Sequence, residues 1–283
     1  MKRSAISGLS YDAASRRFVL ADRAGRKLIV VDEQSTRSAD LARGESAGFL
    51  DISAIEIDPK RGDLWVLSGQ ADGSGTLHRL QLVSGRAVRA FQAAADLGPV
   101  TLVDLAVGPT DAILVLDSQT PGLLRLRPGG AALERVVRID VQEPVSVTAG
   151  GHDGVAFVAH RDGVSRIDLR SRTVSPVAVP KGVSLGHLER IRWRRNGLIA
   201  VQIDTEGSRR IVRLDLNARE NAITKATVLE VPAPSSGLTF VTICGDELVY
   251  VTASSKNADG PLSSSVSSDQ AETAFVVSRL PLP

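Results

Sequence analysis

A turn-plus-strand unit that occurs six times constrains the fold of this chain more than any other feature. Its clearest copy is Ser7 to Asp32. Gly8-Leu9-Ser10-Tyr11-Asp12 is a short alternating run, and Asp12-Ala13-Ala14-Ser15-Arg16-Arg17 has the small, polar make-up of a hairpin loop. Phe18-Val19-Leu20-Ala21 is continuously apolar, as a strand covered on both faces must be. Asp22-Arg23-Ala24-Gly25 supplies a second turn, with Gly25 free to take a positive φ. Leu28-Ile29-Val30-Val31-Asp32 is a third strand rich in β-branched residues. No part has the spacing of an amphipathic helix.

The turn and second strand return at Glu56–Leu67, Ala106–Asp117, Gly151–Ala159, Trp193–Val201 and Cys244–Val251. The third strand returns with an arginine inside it, at Arg79, Arg125, Arg166, Arg213 and Arg279. The period is roughly 40–50 residues, that of propeller blades. The expectation is an all-β, six-bladed β-propeller forming a single domain over 1–283, with blades near 5–42, 51–92, 101–140, 144–180, 187–231 and 237–283. The last blade has no segment after its third strand to serve as an outer strand. Ser254–Gln270, low in apolar residues, reads as a mobile loop. Met1–Ala5 is too short to turn and pair, so direct apolar packing of the first blade on the last is one expected closure; the other invokes a stretch upstream of this sequence. Trp65, Phe157, Ile199 and Val249, all in second strands, are expected to be buried.

The net charge is +2 with basic residues scattered, and no Lys/Arg run interleaved with aromatics points to nucleic acid. One cysteine, Cys244, permits no internal disulfide. Met1-Lys2-Arg3 is followed by no apolar stretch of the signal-peptide kind, and no run approaches a membrane span. The chain is read as cytoplasmic or a mature exported form, and as a monomer.

The unit Tyr11-Asp12…Arg17-Phe18-Val19-Leu20-Ala21-Asp22…Leu28-Ile29-Val30-Val31-Asp32, with weaker copies at Ile113–Leu126 and Val155–Leu169, resembles the NHL and SMP-30/gluconolactonase group of six-bladed propellers. The resemblance implies either an interaction propeller or a metal-dependent lactonase. The lactonase branch begins its metal site with a Glu ahead of the Gly-x-x-aromatic-Asp run, where this chain has Ser7; its Asn ligands have no clear match. A neutral hydroxyl cannot supply the anionic oxygen a hard cation wants.

Inner strands of a propeller begin near one mouth of a channel. That column reads Ser7, Asp51 or Ser53, Asp104, Ser146, Glu189 and Thr239. Asp51, Asp104 and Glu189, with His152, are the candidate ligand-binding residues. The carboxylates could instead bond backbone N–H groups. His152, His160 and His187 stand at strand or loop ends, where solvated histidines are the plainer reading. His78 and the arginine series read as architectural, the guanidiniums satisfying carbonyls between blades. No Gly-x-Ser-x-Gly, Walker, Cys-x-x-Cys or His-Glu-x-x-His motif is present. The sequence therefore suggests a non-catalytic propeller that binds a protein or small molecule, with no cofactor, whether alone or as part of a larger sensor or surface protein. The alternative is a divergent hydrolase with a divalent cation on Asp51, Asp104 and Glu189.

Overall fold

The structure, a computed structural model, describes residues 6–35, 37–108, 110–232, 239–254, 263–266 and 273–282. The chain is nearly all β and has the six-bladed β-propeller fold, with six four-stranded antiparallel sheets. Blade one comprises β1 (Ile6–Asp12), β2 (Arg17–Asp22), β3 (Lys27–Asp32) and β4 (Ser38–Arg43), followed by a single helical turn, α1 (Gly44–Ala47). Blade two comprises β5 (Asp51–Asp58), β6 (Asp63–Gly69), β7 (Gly75–Gln81) and β8 (Ala87–Gln92). Blade three has β9 (Leu102–Val107), β10 (Ile113–Asp117), β11 (Gly122–Leu126) and β12 (Glu134–Arg138). Blade four has β13 (Ser146–Ala149), β14 (Val155–His160), β15 (Gly163–Asp168) and β16 (Thr173–Pro176). Blade five has β17 (Leu188–Arg194), β18 (Gly197–Ile203), β19 (Arg209–Leu216) and β20 (Ile223–Glu230).

Blade six has three long strands, β21 (Thr239–Cys244), β22 (Glu247–Ser254) and β24 (Thr273–Pro281). Its edge is taken by the short β23 (Ser263–Val266), which precedes β24 in the chain, so the order is β21-β22-β24-β23. The edge strand thus comes from the Ser254–Gln270 stretch read from sequence as a loop. The rest of that stretch after Ser254, like Met1–Ala5, lies outside the described residues.

Contacts divide the chain into two compact units, one of residues 1–69, 77–90 and 233–283, the other of residues 70–76 and 91–232. In the first unit, blade one packs on blade two through Val19, Ala21 and Leu28 against Ile52, Ile55 and Val66. A Cβ at Gly8 would meet Ile55 Cγ1 at 2.9 Å and Ile55 N at 3.2 Å, so the approach of β1 to β5 requires a glycine there. Blade one also packs on blade six, with Leu9, Phe18, Leu20 and Val31 against Phe240, Val249 and Val251. First and last blades therefore share an apolar core, the first of the two closures expected. Glu33 adds a polar clasp over it: its carboxylate accepts from Tyr11 Oη at 2.7 Å and Arg16 Nε at 3.2 Å, and pairs with Arg279 of blade six. In the second unit, Leu116, Leu123 and Ile139 of blade three pack on Val147, Val158 and Ile167 of blade four. Phe157 and Leu188 join blades four and five, with Phe157 stacked on Trp193 at 5.7 Å.

Trp65 is 6% exposed, and Phe157, Ile199 and Val249 are fully buried. The arginine column lies beside this one: Arg125, Arg166, Arg213 and Arg279 pair in register with Leu114, Phe157, Ile199 and Val249. Its partners differ from those expected. Arg79 reaches Asp63 at 2.8 Å, Arg213 reaches Asp215 at 2.6 Å, and Arg279 reaches Glu247. Only Arg213 also donates to a carbonyl, that of Arg195 at 3.1 Å, among the bonds of this column in the described residues. The carboxylates win because each stands on the same or adjacent strand, where it neutralises charge as well as accepting a bond.

Candidate functional site

Asp104 is the most enclosed of the sequence candidates, with a side chain 0% exposed. It sits on β9, the first strand of blade three, and reaches into blades four and five. Its Oδ2 accepts from Ser146 Oγ at 2.6 Å, Val147 N at 3.0 Å and Arg192 at 3.3 Å, and its Oδ1 accepts from Arg190 at 3.1 Å. Ser146 Oγ in turn accepts the Ile191 N–H at 3.1 Å. One carboxylate and one hydroxyl thus staple the first strands of three consecutive blades. Burial pushes the Asp104 carboxyl up, but Arg192 and Arg190, with the Ser146 and Val147 donors, outweigh it and hold the group below its ordinary value.

Glu189 is also committed. Arg209 clamps both its oxygens, at 2.8 and 2.9 Å. Asp51, in the first unit, is half exposed and pairs with Arg26 at 3.1 Å. His152 lies in the turn after β13, at the opposite end of that strand from Ser146, because β13 runs away from its own start. It does not join a mouth with Asp104 or Glu189. Its Nδ1 is 2.6 Å from Glu220 Oε1, and its backbone N–H donates to the same oxygen at 3.2 Å. Glu220 is almost fully buried, so this pair ties blade five to the first turn of blade four. Ser7, at the first-ligand position, is 7% exposed and its hydroxyl has no partner among the described residues. His78 is structural, as read: it is 3% exposed, bonds Ser68 Oγ at 2.9 Å, and burial lowers its pKa to about 4. Burial likewise raises the Cys244 thiol, the reverse of what a nucleophilic cysteine needs.

A different place holds open space. A cleft of about 1100 Å³ lies between the outer strands of blades three and four, within the second unit. Val137, Val141 and Val174, packed on the blade three–four core, line it. Its loop end is built from the β14–β15 turn, carrying His160, Arg161 and Asp162, and from the segment before β17, carrying Ser184 to His187. That second wall is pinned: the buried Gln202 amide donates to Ser184 O at 3.0 Å and Gly186 O at 2.9 Å. His160 and His187, on different blades in sequence, thus meet at one opening.

The imidazole of His160 has a defined proton. Its Nδ1 accepts the Asp162 N–H at 3.3 Å, so in the neutral ring the proton is on Nε2 and donates to Ser165 Oγ at 3.1 Å. Burial keeps His160 below its ordinary pKa, with Asp162 acting the other way. A serine nucleophile needs the opposite polarity, with the imidazole accepting the hydroxyl proton. This pair therefore orders the cleft floor and does not activate Ser165.

Sequence reasoning grouped His160 and His187 with solvated loops and passed over Ser165, Arg138 and Arg172. A local signal existed for one pair: His160 pairs with Gly163 across a two-residue turn, so Ser165, two residues further along β15, falls on the same sheet face as His160.

No known family's sequence pattern matches the chain, and no curated protein is similar to it in sequence. Its fold is similar to solved structures. A gluconolactonase from Xanthomonas campestris matches with TM-score 0.65 and 15% identity, over 100% of this chain and 87% of that one. The calcium-binding protein regucalcin from Agrobacterium tumefaciens matches with TM-score 0.64 and 14% identity, over 100% and 91%. The major allergen Mala s 1 of Malassezia sympodialis matches with TM-score 0.68 and 12% identity, over 90% and 88%. These likenesses show the fold, a six-bladed propeller.

Proposed function

We propose that this chain is a ligand-binding propeller that acts without covalent chemistry, and that its ligand sits in the cleft between blades three and four. The observation that carries the reading is the contrast between the two places. The carboxylates of the first strands are occupied by arginines, whereas the cleft is roomy, has an apolar floor and has a wall fixed by Gln202. Pre-formed concave sites of several hundred Å³ with a few fixed polar groups are where small ligands bind.

The neighbouring lactonase and the calcium-binding regucalcin raise the alternative of a divalent cation here. The donor chemistry does not fit one. A dication at Asp104 would stand beside two guanidiniums already bonded to both its oxygens. Glu189 is held in the same way, Ser7 offers a neutral hydroxyl, and no group of three His, Cys, Asp or Glu is placed to hold a metal among the described residues. No helix of the described residues is long and apolar enough to cross a membrane.

The test is calorimetric titration with Ca²⁺, Mg²⁺ and Zn²⁺, with lactone hydrolysis measured with and without chelator. The expected result is no micromolar cation binding and no chelator-sensitive turnover. Micromolar binding lost in an Asp104→Asn/Glu189→Gln variant, with turnover lost alongside it, would overturn the reading and establish the hydrolase.

A further inference from the structure

Two blades contain a buried serine–histidine pair, and the difference between them is informative. In blade two, Ser68 Oγ bonds His78 Nε2 at 2.9 Å and also accepts the Leu50 N–H at 3.2 Å, so that hydroxyl has two partners. In blade four, Ser165 Oγ receives the His160 Nε2 proton, and its own proton has no acceptor among the described residues. Ser165 is 4% exposed and lines the cleft. A buried hydroxyl with an unused proton favours an added acceptor. A ligand oxygen in the cleft would use it.

The charges give the other half. Arg138 and Arg172 line the cleft and make no ion pair among the described residues. Arg161, by contrast, is paired with Glu143 at 3.4 Å. Arg138 ends β12, and Arg172 stands in the β15–β16 turn. The Arg172 turn and the His160 turn are at opposite ends of β15, a strand of 6 residues, which at ~3.3 Å per residue separates them by roughly 15–20 Å. The cleft is therefore elongated. The loop end carries Arg138 and Arg161 together with Asp140 and Asp162, so its lining charges cancel. The Arg172 end has no acid in its lining, so Arg172 is the charge that faces the cleft there; Arg127, outside the lining, is neutralised by Glu134 at 3.0 Å. Val174 lies just inside the Arg172 end and Val137 and Val141 towards the loop end, so valines floor the cleft along its length.

We infer that the cleft takes an elongated organic anion: a carboxylate bonded at the Arg172 end, an apolar body along the valine floor, and an uncharged oxygen accepting the Ser165 hydroxyl. This rests on the proposal that the cleft is the ligand site. The apolar body supplies most of the affinity, the guanidinium selects charge, and Ser165 selects the second oxygen. A ligand lacking that oxygen leaves the hydroxyl unsatisfied, which is how buried polar groups discriminate.

The test uses four probes of one length on the full chain: 8-hydroxyoctanoate, octanoate, octane-1,8-diol and 8-hydroxyoctylamine. Affinity is read by calorimetry and position by backbone-amide NMR. The expected order puts 8-hydroxyoctanoate first, octanoate about 2–10-fold weaker for the lost hydrogen bond, and the diol at least about tenfold weaker for the lost charge-assisted bond. Arg172→Gln should remove the preference for carboxylate over diol and leave the diol unchanged. Ser165→Ala should remove the preference for 8-hydroxyoctanoate over octanoate and leave octanoate unchanged. Arg172 is an exposed turn residue, so its variant keeps the fold even if Ser165→Ala does not. If the amine binds more tightly than the carboxylate, or the diol perturbs cleft amides as strongly as the acid does, the anion class is wrong although the cleft stands. If no probe of any charge moves the amides of Gly163, Val177, Leu185 or Gly186, the cleft reading falls with it.

Discussion

Replacing Asp104 with alanine removes the most connected side chain of the second unit. Four interactions go at once: two guanidinium pairs at 3.1 and 3.3 Å, the Ser146 hydroxyl at 2.6 Å and the Val147 N–H at 3.0 Å. Breaking a buried ion pair from one side costs about 3–5 kcal/mol, because the remaining charge loses its partner. Arg190 and Arg192 are 12% and 11% exposed, so water recovers part of that loss and the lower end, about 3 kcal/mol, is expected. The assay is guanidinium unfolding followed by circular dichroism, comparing parent with Asp104→Ala and Asp104→Asn. The pH dependence gives an independent check. The folded carboxyl is held below the ordinary value of 3.8, so its stabilising contribution is complete above that pH and is lost as pH falls through the lower folded value. The gap between parent and Asp104→Asn should therefore be flat from neutral pH down to about 5 and shrink below about pH 4. A variant within about 0.5 kcal/mol of the parent at neutral pH, the range of ordinary surface substitutions, would refute the staple.

Trp65→Ala should cost about 3–5 kcal/mol, as removal of a large buried ring does, and an unchanged unfolding midpoint would contradict its burial at 6% exposure. Gly151→Ala should destabilise by about 1–3 kcal/mol, since its Cβ would lie 2.5 Å from Trp193 Cζ2 and 2.9 Å from Glu220 Oε1; equal thermal midpoints would show that the turn gives way freely. His78 should titrate by NMR at about 4, below the ordinary histidine value of 6.5, so stability should fall as pH drops from 6.5 towards 4; a midpoint near 6.5 would mean the ring is not enclosed.

The blades were legible because burial on both faces writes itself as continuous apolar runs. Phe18–Ala21 and Val155–Ala159 needed no tertiary context, and the arginine column beside them marked the third strands. β23 was not legible: Ser263-Ser264-Ser265 has neither apolar period nor strand preference, and its state comes from pairing with Thr273–Val276. Asp104 was placed on the right strand, yet its role was hidden. Its guanidinium partners lie 86 and 88 residues away, and two arginines flanking Ile191 on a strand read as an ordinary polar face. The cleft was hidden for a related reason. It forms where two blades diverge beyond their shared core, and that divergence is a property of packing rather than of any run of residues. His152 was misplaced because the strand-start column was extended to a residue that follows β13 instead of preceding it.

The central claim is that a ligand is held in the blade three–four cleft and leaves unchanged. Amide-resolved NMR of the full chain, titrated with 8-hydroxyoctanoate and followed for hours, tests it most directly. The account predicts shifts confined to the cleft, centred on Gly163 to Ser165, Thr173 to Val177 and Ser184 to His187, with the probe's own resonances constant throughout. Shifts centred on Ser146, Val147 and Ile191 around Asp104, or conversion of the probe, would contradict it.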